Sequence, residues 1–499
     1  MDFKDYIEEY KTRLYSVFRT NAEEAVQYKR TIPEGAFKEI MKVVPLSTFI
    51  PKEYGGRGAL THEALSMLEA SSYESLPLSL MMGINGALFL QPLANYGSEE
   101  AKEAIYHRFM NENSMGGLMI TEPDFGSDAL KMQTAYSQNG DPSVYNIQGT
   151  KHWGGLTGWA DYWLITARGM DVNGNLGRDI SFFVHDSRNG GINVKEYYPN
   201  LGLSMLPYGK NEIDINVDAS HKLEPKSTGV TMMLDILHRS RLQFPGMGMG
   251  FLRRMMDDAI EHCKTRFVGG QSLLNYDQVQ RRITELQSYF TMCSAMCSYT
   301  SRKVPLAQDT SRMDVQANAI KTVVTDFMQQ ASQSLLQLTG AKGYRLDHMA
   351  GKGVIDSRPF QIFEGSNDIL YQQISESVLK MMRKVKDFNL YNFLSEYDLT
   401  ENASDYFKDI LNFELDAKMS QRKLVELGKA LGRIITMEFT IDMGELGFNK
   451  ELVENALLSM QTEVRSIMCT FGTKYNAHVV DDYISDSAWL TSVKADASS

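Results

Sequence analysis

Cysteine is scarce in this chain of 499 residues: Cys263, Cys293, Cys297 and Cys469 are the full set, and no two are spaced as C-x-x-C. That pattern excludes a disulfide framework and a thiolate zinc site, and no metal centre is expected. Cys293 and Cys297 stand four apart in an apolar stripe, as small core-filling side chains do. Basic charge is in deficit, with 51 Lys and Arg against 62 Asp and Glu and a formal net charge of -11. A chain of that sign has no general attraction for a phosphate backbone. No nucleic-acid partner is expected, although a local basic pocket for a coenzyme is compatible with the total. Long apolar runs are missing too: none approaches the roughly 18 residues that cross a bilayer. The first residues, MDFKDYIEEYKTRL, are charged where a secretory leader would be apolar. The expectation is an unprocessed cytoplasmic chain with no transmembrane segment. No G-x-G-x-x-G follows a strand-like run, so a Rossmann-type dinucleotide site is not expected either.

What is present is an ordinary globular composition, 43% hydrophobic and 23% charged. The length exceeds what one hydrophobic core supports, so two to four domains are expected. The 29 methionines suit gap-filling in large helical cores. Residues 1–115 carry a helical pattern. From 116 to 226 the texture turns to short alternating or β-branched runs: YWLITA at 162–167, ISFFV at 180–184 and IDINV at 213–217. Asn173-Gly174 and Asn189-Gly190-Gly191 punctuate them and predict hairpins. From 227 to 385 apolar residues recur at spacings of three and four, as in Val279, Ile283, Leu286, Phe290, Cys293 and Cys297. Such stripes predict an antiparallel helix bundle. Residues 386–499 repeat the pattern at Leu424, Leu427, Leu431 and Ile434, then at Val453, Leu457, Met460, Val464 and Ile467. They predict an extra helical domain docked on the bundle or on a partner subunit. The expected fold class is α+β: an N-terminal helical domain, a small central β-barrel or sandwich, an antiparallel helix bundle and a helical tail.

Two segments far apart in sequence carry the chemistry: Met119 to Asp128 (MITEPDFGSD), and Gln337 to Leu370, which contains Phe363-Glu364-Gly365. They resemble the two signature segments of the acyl-CoA dehydrogenase family, and the likeness covers roughly residues 1–385. It implies FAD as cofactor and an acyl thioester, on coenzyme A or a carrier protein, as substrate. It also implies α,β-dehydrogenation to a trans-2-enoyl product, with electrons passed to an electron-transfer flavoprotein or a similar acceptor. That chemistry needs a base at the α-carbon, a hydride acceptor at the β-carbon and stabilisation of enolate charge in one dry site. By the resemblance Glu364 is the base, and its apolar neighbours Ile362 and Phe363 would bury it and raise its pKa. Phe363 and Gly365 then border the substrate, and the Glu364 backbone N–H joins a flavin ribityl hydroxyl at the thioester oxygen. A Glu before a Gly turn otherwise often only caps a helix. Some family members carry the base in a Leu-x-x-Glu-Arg pattern. Here that stretch reads Leu237-His-Arg-Ser-Arg241, and Ser240 cannot be a base. Arg241 matches an arginine near the acyl-CoA, the alternative being a salt bridge in the bundle.

The resemblance further implies that Thr121 and Ser127 contact the flavin, and Ser127 also the coenzyme chain, on a turn sharpened by Pro123 and Gly126. Trp153 would cover the edge of the ring. Where the family has a hydroxyl residue that bonds flavin N5, this chain has Gly155, so Thr157 or a backbone group is the expected substitute. Arg266, Gln278, Gln337, Gly340 and Ala341 match residues that hold adenosine and pyrophosphate, partly from a second subunit, which implies a homodimer or homotetramer. Gly269 stands where a Phe is usual, and Phe267 is placed to stack instead. Ser366 and Asp368, just past the base, complete the cofactor set. Three relatives share the scaffold. An acyl-CoA oxidase would use dioxygen, and its extra C-terminal helices would resemble this tail. A nitroalkane oxidase would want Asp at 364, and a DNA-associated flavin-binding relative would want a basic tail where this one is acidic.

Overall fold

The structure, a computed structural model, describes residues 1–20, 31–138, 141–416 and 418–481. Positions 21–30 of the N-terminal segment and 482–499 of the tail lie outside the described residues. Asp2 accepts from the Asp5 N–H and starts α1 (Phe3–Tyr15), whose Tyr6, Tyr10 and Leu14 are buried. α2 (Glu34–Met41), α3 (Thr61–Glu74), α4 (Leu76–Asn85), α5 (Gln91–Tyr96) and α6 (Glu99–Asn111) follow. α4 and α5 run on through residues 86–90 as one helical span, Leu76–Tyr96, with hydropathy 1.3. This corrects the expectation that no apolar run has membrane length: the span qualifies by length and composition, and its apolar window is 94% buried in the protein. Two of its amides are bonded within the protein. Asn85 donates to the Met81 carbonyl at 2.8 Å and accepts from the Gly116 N–H at 2.6 Å, and Gln91 accepts from Gln243 at 2.8 Å. Uncharged amides partnered in this way interrupt an apolar run without ending it.

Eight strands come next: β1 (Gly116–Met119), β2 (Ala135–Ser137), β3 (Val144–His152), β4 (Tyr162–Met170), β5 (Leu176–Asp186), β6 (Ile192–Tyr197), β7 (Gly209–Asp218) and β8 (Lys222–Leu223). They hydrogen-bond in the order β6-β7-β3-β2-β4-β5-β8, with β1 parallel to β4. Alternation along β7 buries Ile213, Ile215 and Val217 and turns the residues between them outward. Asn173-Gly174 is a hairpin turn between β4 and β5, as predicted. Asn189-Gly190-Gly191 is not. β4 and β8 take both edges of β5, so the chain crosses to pair β6 with β7. The glycines are needed there for another reason: at Gly191 (φ 80°) a Cβ would lie 2.3 Å from the Asp214 carbonyl oxygen.

The helical period then returns in α7 (Gly229–Thr265), α8 (Asp277–Lys303), α9 (Asp314–Thr339), α10 (Met349–Ser357) and α11 (Asn367–Val385). Thr228 caps α7 by accepting from the Thr231 N–H, and α7 is buried almost all round from Asp235 to Leu252 because α3, α8 and α9 all pack on it. The tail adds α12 (Leu390–Leu394), α13 (Lys408–Leu411), α14 (Gln421–Glu445) and α15 (Lys450–Gly472). α14 lies against α8, α9 and α11, and α15 against α8 and α14. The predicted stripes face inward: Leu427, Leu431 and Ile434 on α14, and Val453, Leu457, Met460 and Val464 on α15, are buried. Approach is close enough that a Cβ on Gly428 would lie 1.9 Å from the Tyr371 carbonyl oxygen of α11. The tail is another layer of the bundle.

Candidate active site

Glu364 occupies the turn between residues 358–361 and α11, at φ 54°, and Gly365 follows at φ 92°. A non-glycine residue in the left-handed region costs about 1–3 kcal/mol and persists only where its surroundings hold it. Arg241 does much of the holding: its Nη2 and Nε donate to the Glu364 carbonyl oxygen at 2.7 and 3.1 Å, while its Nη1 donates to Asn318 Oδ1 at 2.8 Å. From α9, Lys321 Nζ donates to the Gly365 carbonyl and to Asn367 Oδ1, both at 2.9 Å. Ser240, at the alternative base position, donates its hydroxyl to Glu364 Oε1 at 2.9 Å. Glu364 Oε2 is buried and has no partner among the described residues. Burial pushes the Glu364 carboxyl above its ordinary range, against the downward pull of Arg241, Ser240 and Lys321. Burial likewise brings Arg241 down to about 10, and burial with the Arg241 charge brings Lys321 down to about 7. Chemically this is a dry carboxylate with one oxygen fixed and the other free to take a proton.

The β strands supply the facing wall. Trp153, directly after β3, is itself left-handed (φ 59°), is tied by its N–H to the Gly209 carbonyl, and is 52% exposed. Its ring lies 4.5 Å from that of Tyr198 and 6.1 Å from that of Tyr208. Burial, and after it the Glu364 charge, pushes the Tyr208 phenol up. The loop of Thr121 and Ser127 is anchored by a pair that sequence reasoning passed over. Lys151 Nζ meets Glu122 Oε1 at 2.9 Å and also donates to the Ile120 carbonyl and Thr166 Oγ1. Glu122 further accepts from the Gln133 and Thr134 N–H groups and the Thr134 hydroxyl. Against the cost of burial, Lys151 and those donors keep the Glu122 carboxyl below its usual range, while burial brings Lys151 down to about 8. Glu122 lies inside the Met119–Asp128 segment and Lys151 two residues before Trp153, so both were in view. Their pairing is not local and needed the strand register.

Gly155 is buried, and a Cβ there would meet Ile84 Cδ1 at 2.6 Å, so a side chain would have to displace the end of Ile84. Thr157 is buried as well: its hydroxyl donates to the Gly154 carbonyl at 2.7 Å and accepts from Asn211 Nδ2 at 3.2 Å. Its proton is spent. Phe363 joins Phe244 and Phe360 in an aromatic cluster beside the base. Ser127 and Asp368 are exposed, while Thr121, Gly365 and Ser366 are half-buried. Arg266, Gln278, Gln337, Gly340 and Ala341 are exposed, at the C-terminal ends of α7 and α9 and the start of α8. Along α7, Arg266 is about 37 Å from Arg241 at the helical rise of about 1.5 Å per residue. One copy of the chain does not bring this group to Glu364. Phe267 (64% exposed), Val268, Tyr344 and Leu346 lie exposed in the same stretches. An exposed indole face and an unpaired carboxylate oxygen together fit a flat ring lying beside a carbon acid.

Family models of the acyl-CoA dehydrogenase N-terminal, middle and C-terminal domains match residues 11–113, 117–215 and 227–379. The chain is 21% identical over 325 residues to the mitochondrial very long-chain specific acyl-CoA dehydrogenase of Homo sapiens, an alignment covering 64% of this chain and 49% of that protein. The chain thus spans about half the length of that curated relative. Among solved structures it is similar in fold to butyryl-CoA dehydrogenase from Megasphaera elsdenii, with TM-score 0.67 and 19% identity over 76% of this chain and 100% of that one. An acyl-CoA dehydrogenase complexed with FAD from Bacillus anthracis gives TM-score 0.76 and 16% identity over 94% of this chain and 88% of that one, so this likeness takes in the C-terminal helices.

Proposed function

Because the chain belongs to the acyl-CoA dehydrogenase family, we propose that it is an FAD-dependent enzyme that oxidises the α,β bond of an acyl thioester. The observation that supports this reading is Glu364, a buried carboxylate with Oε1 held by Ser240 and Oε2 unpaired. Oε2 takes the α-proton, and the raised pKa keeps the proton there once transferred. Bound FAD supplies the acceptor for the β-hydride. We assign the Glu364 N–H, which has no backbone acceptor among the described residues, to the thioester oxygen. Phe363 and Gly365 border the acyl chain. Arg241 fixes the Glu364 peptide and acts on the substrate through it. Thr121, Ser127 and Trp153 hold the flavin ring, and with Thr157 occupied and Gly155 bare, N5 is left to a backbone donor. Arg266, Gln278, Gln337, Gly340 and Ala341, with Ser366 and Asp368 nearer the base, are assigned to the rest of FAD. Since the first five lie far from Glu364 along the helices, they serve the site of a second copy in a homodimer or homotetramer. We place the domain boundaries near 115, 226 and 385, and the protein in the cytoplasm.

The test is anaerobic. The purified protein is expected to be yellow and to bleach with one or more saturated acyl-CoAs or acyl-carrier proteins. Glu364→Gln should keep the colour and lose bleaching by roughly two to four orders of magnitude. Normal bleaching in that variant would overturn the assignment. Re-oxidation in air separates an oxidase from a dehydrogenase that hands electrons to an electron-transfer flavoprotein, and a monomer fully loaded with FAD would contradict the shared site.

A further inference from the structure

Arg433 on α14 is 3% exposed and reaches out of the tail into the bundle. Its Nη2 donates to Asp326 Oδ2 on α9 at 2.8 Å, its Nη1 to the Tyr371 hydroxyl on α11, and its Nε to Glu463 on α15 at 2.9 Å. Tyr371 donates to the same Asp326 oxygen at 2.6 Å. The other oxygen, Oδ1, accepts from Gln361 Nε2 at 2.7 Å and from Asn367 Nδ2 at 2.8 Å. Gln361 and Asn367 stand three residues either side of Glu364. Asn367 Oδ1 then accepts from Lys321, which also holds the Gly365 carbonyl. An unbroken run of contacts therefore leads from the tail arginine through Asp326, Asn367 and Lys321 to the peptide after the base.

A buried carboxylate stays ionised only if its charge is met, and Arg433 is the cation in contact with Asp326. Without it the carboxyl protonates on Oδ2, the oxygen that Arg433 leaves, and Oδ1 drops from a carboxylate oxygen to a weaker carbonyl acceptor. Gln361 and Asn367 both donate to Oδ1, and Lys321 is already committed to Asn367 and Gly365. The left-handed turn at Glu364 would keep its Arg241 clamp while its lateral anchors loosen.

We propose that Arg433, on the C-terminal extension, is a positioning residue for Glu364: by neutralising Asp326 it fixes the amides on both sides of the base and so aims the unpaired carboxylate oxygen. The inference rests on Glu364 being the base of the proposed reaction. Arg433 touches no reacting atom.

Two readouts test it on the full-length FAD-loaded protein: anaerobic flavin bleaching with a panel of saturated straight-chain acyl-CoAs, and amide hydrogen exchange. Arg433→Gln should slow flavin reduction at saturating acyl-CoA by about 10- to 100-fold, the scale of a small misplacement of a reacting group. The half-saturating concentration should change by less than about 3-fold, the signature of an effect confined to the chemical step. Exchange in residues 358–370 should quicken while that in β3 and β4 stays as in the wild type. Arg433→Lys should recover part of the rate. Arg465→Gln, which removes an exposed pair with Asp409 elsewhere in the tail, should behave as wild type. If Arg433→Gln fails to accumulate, the charge-neutral Asp326→Asn/Arg433→Gln replaces it: an amide oxygen accepts from Gln361 and Asn367 more weakly than a carboxylate, so flavin reduction should still slow and exchange in residues 358–370 still quicken, by less. No bleaching by the wild type would overturn the proposed function and this inference with it. Wild-type bleaching with unchanged rate and exchange in these variants would overturn the inference alone.

Discussion

Glu122→Gln tests how the Thr121 loop is held. The substitution keeps the shape of the side chain and removes the charge that meets Lys151 Nζ at 2.9 Å, where Lys151 has 0% and Glu122 5% of its side chain exposed. It also sets an amide NH₂ where carboxylate oxygens accept from Gln133, Thr134 and Lys151, so that one donor faces another. Removing one partner of such a buried pair costs about 3–5 kcal/mol. In a cooperative unit of 150–250 residues each kcal/mol moves Tm by about 2–4 °C, which gives a loss of roughly 6–20 °C. The loss should depend on pH in a definite direction. Burial has brought Lys151 from 10.5 to about 8 with Glu122 opposing the fall, so without Glu122 it falls further. Between the folded and unfolded pKa values the unfolded chain binds more protons, and stability rises with pH. In the wild type that rise occupies about pH 8 to 10.5, and in the variant it starts lower. The deficit should therefore shrink from about pH 6 to about pH 9, because Lys151 can then fold uncharged. Thermal melts followed by circular dichroism and flavin absorbance across that range read it out. A deficit under about 1 °C, or one of constant size across the range, would refute the buried pair as anchor.

Ser240→Ala removes a donor that lowers the Glu364 pKa, so the rising limb of kcat/KM against pH should move to higher pH. Hydrogen bonds to charged groups are worth about 1.5–3 kcal/mol, so activity on the acid side of that limb should fall about tenfold or more; an unmoved limb would show that Ser240 does not tune the base. Gly155→Ser restores the missing hydroxyl but drives its Cβ to 2.6 Å from Ile84 Cδ1. It should destabilise the protein by about 1–3 kcal/mol and loosen FAD. Adding Ile84→Ala should recover FAD retention, and no recovery in an equilibrium binding titration would show that the clash is not the cause. Deleting the chain after Val385 strips α14 and α15 from α8, α9 and α11 and should lower Tm and solubility. A truncated protein of equal heat stability and unchanged oligomeric state would contradict the docked tail.

The parts legible in the sequence were those written locally. Glu364 was picked out by its own Phe-Glu-Gly text and Ser240 by the Leu237–Arg241 stretch, and the fold sets the two side by side. The tail stripes were legible for a similar reason: helical spacing of Leu and Val announces a face that must be covered. What depended on distant pairing was not. The glycines at 190 and 191 signal a turn, but strand edges already taken by β4 and β8 decide that it is not a hairpin. The Leu76–Tyr96 span was overlooked because Asn85 and Gln91 break its apolar text, and only the fold shows Asn85 bonded to Met81 and Gly116 and Gln91 to Gln243. Lys321 sits in an apolar stripe beside Ile320, and nothing local says that its ammonium reaches Gly365.

Half of the Trp153 indole faces outward, whereas Trp163 is 2% exposed within the sheet and Trp159 rests against Phe37; Trp489 lies outside the described residues. Indole emits in the near ultraviolet, where oxidised flavin absorbs, so the protein carries an energy-transfer donor at the edge of the ring that it is proposed to cover. Stripping the flavin should brighten this emission and shift it to the red as water meets the indole. Titrating FAD back should quench it in proportion to the sites filled. Occupancy then becomes visible as light, without turnover, substrate or label.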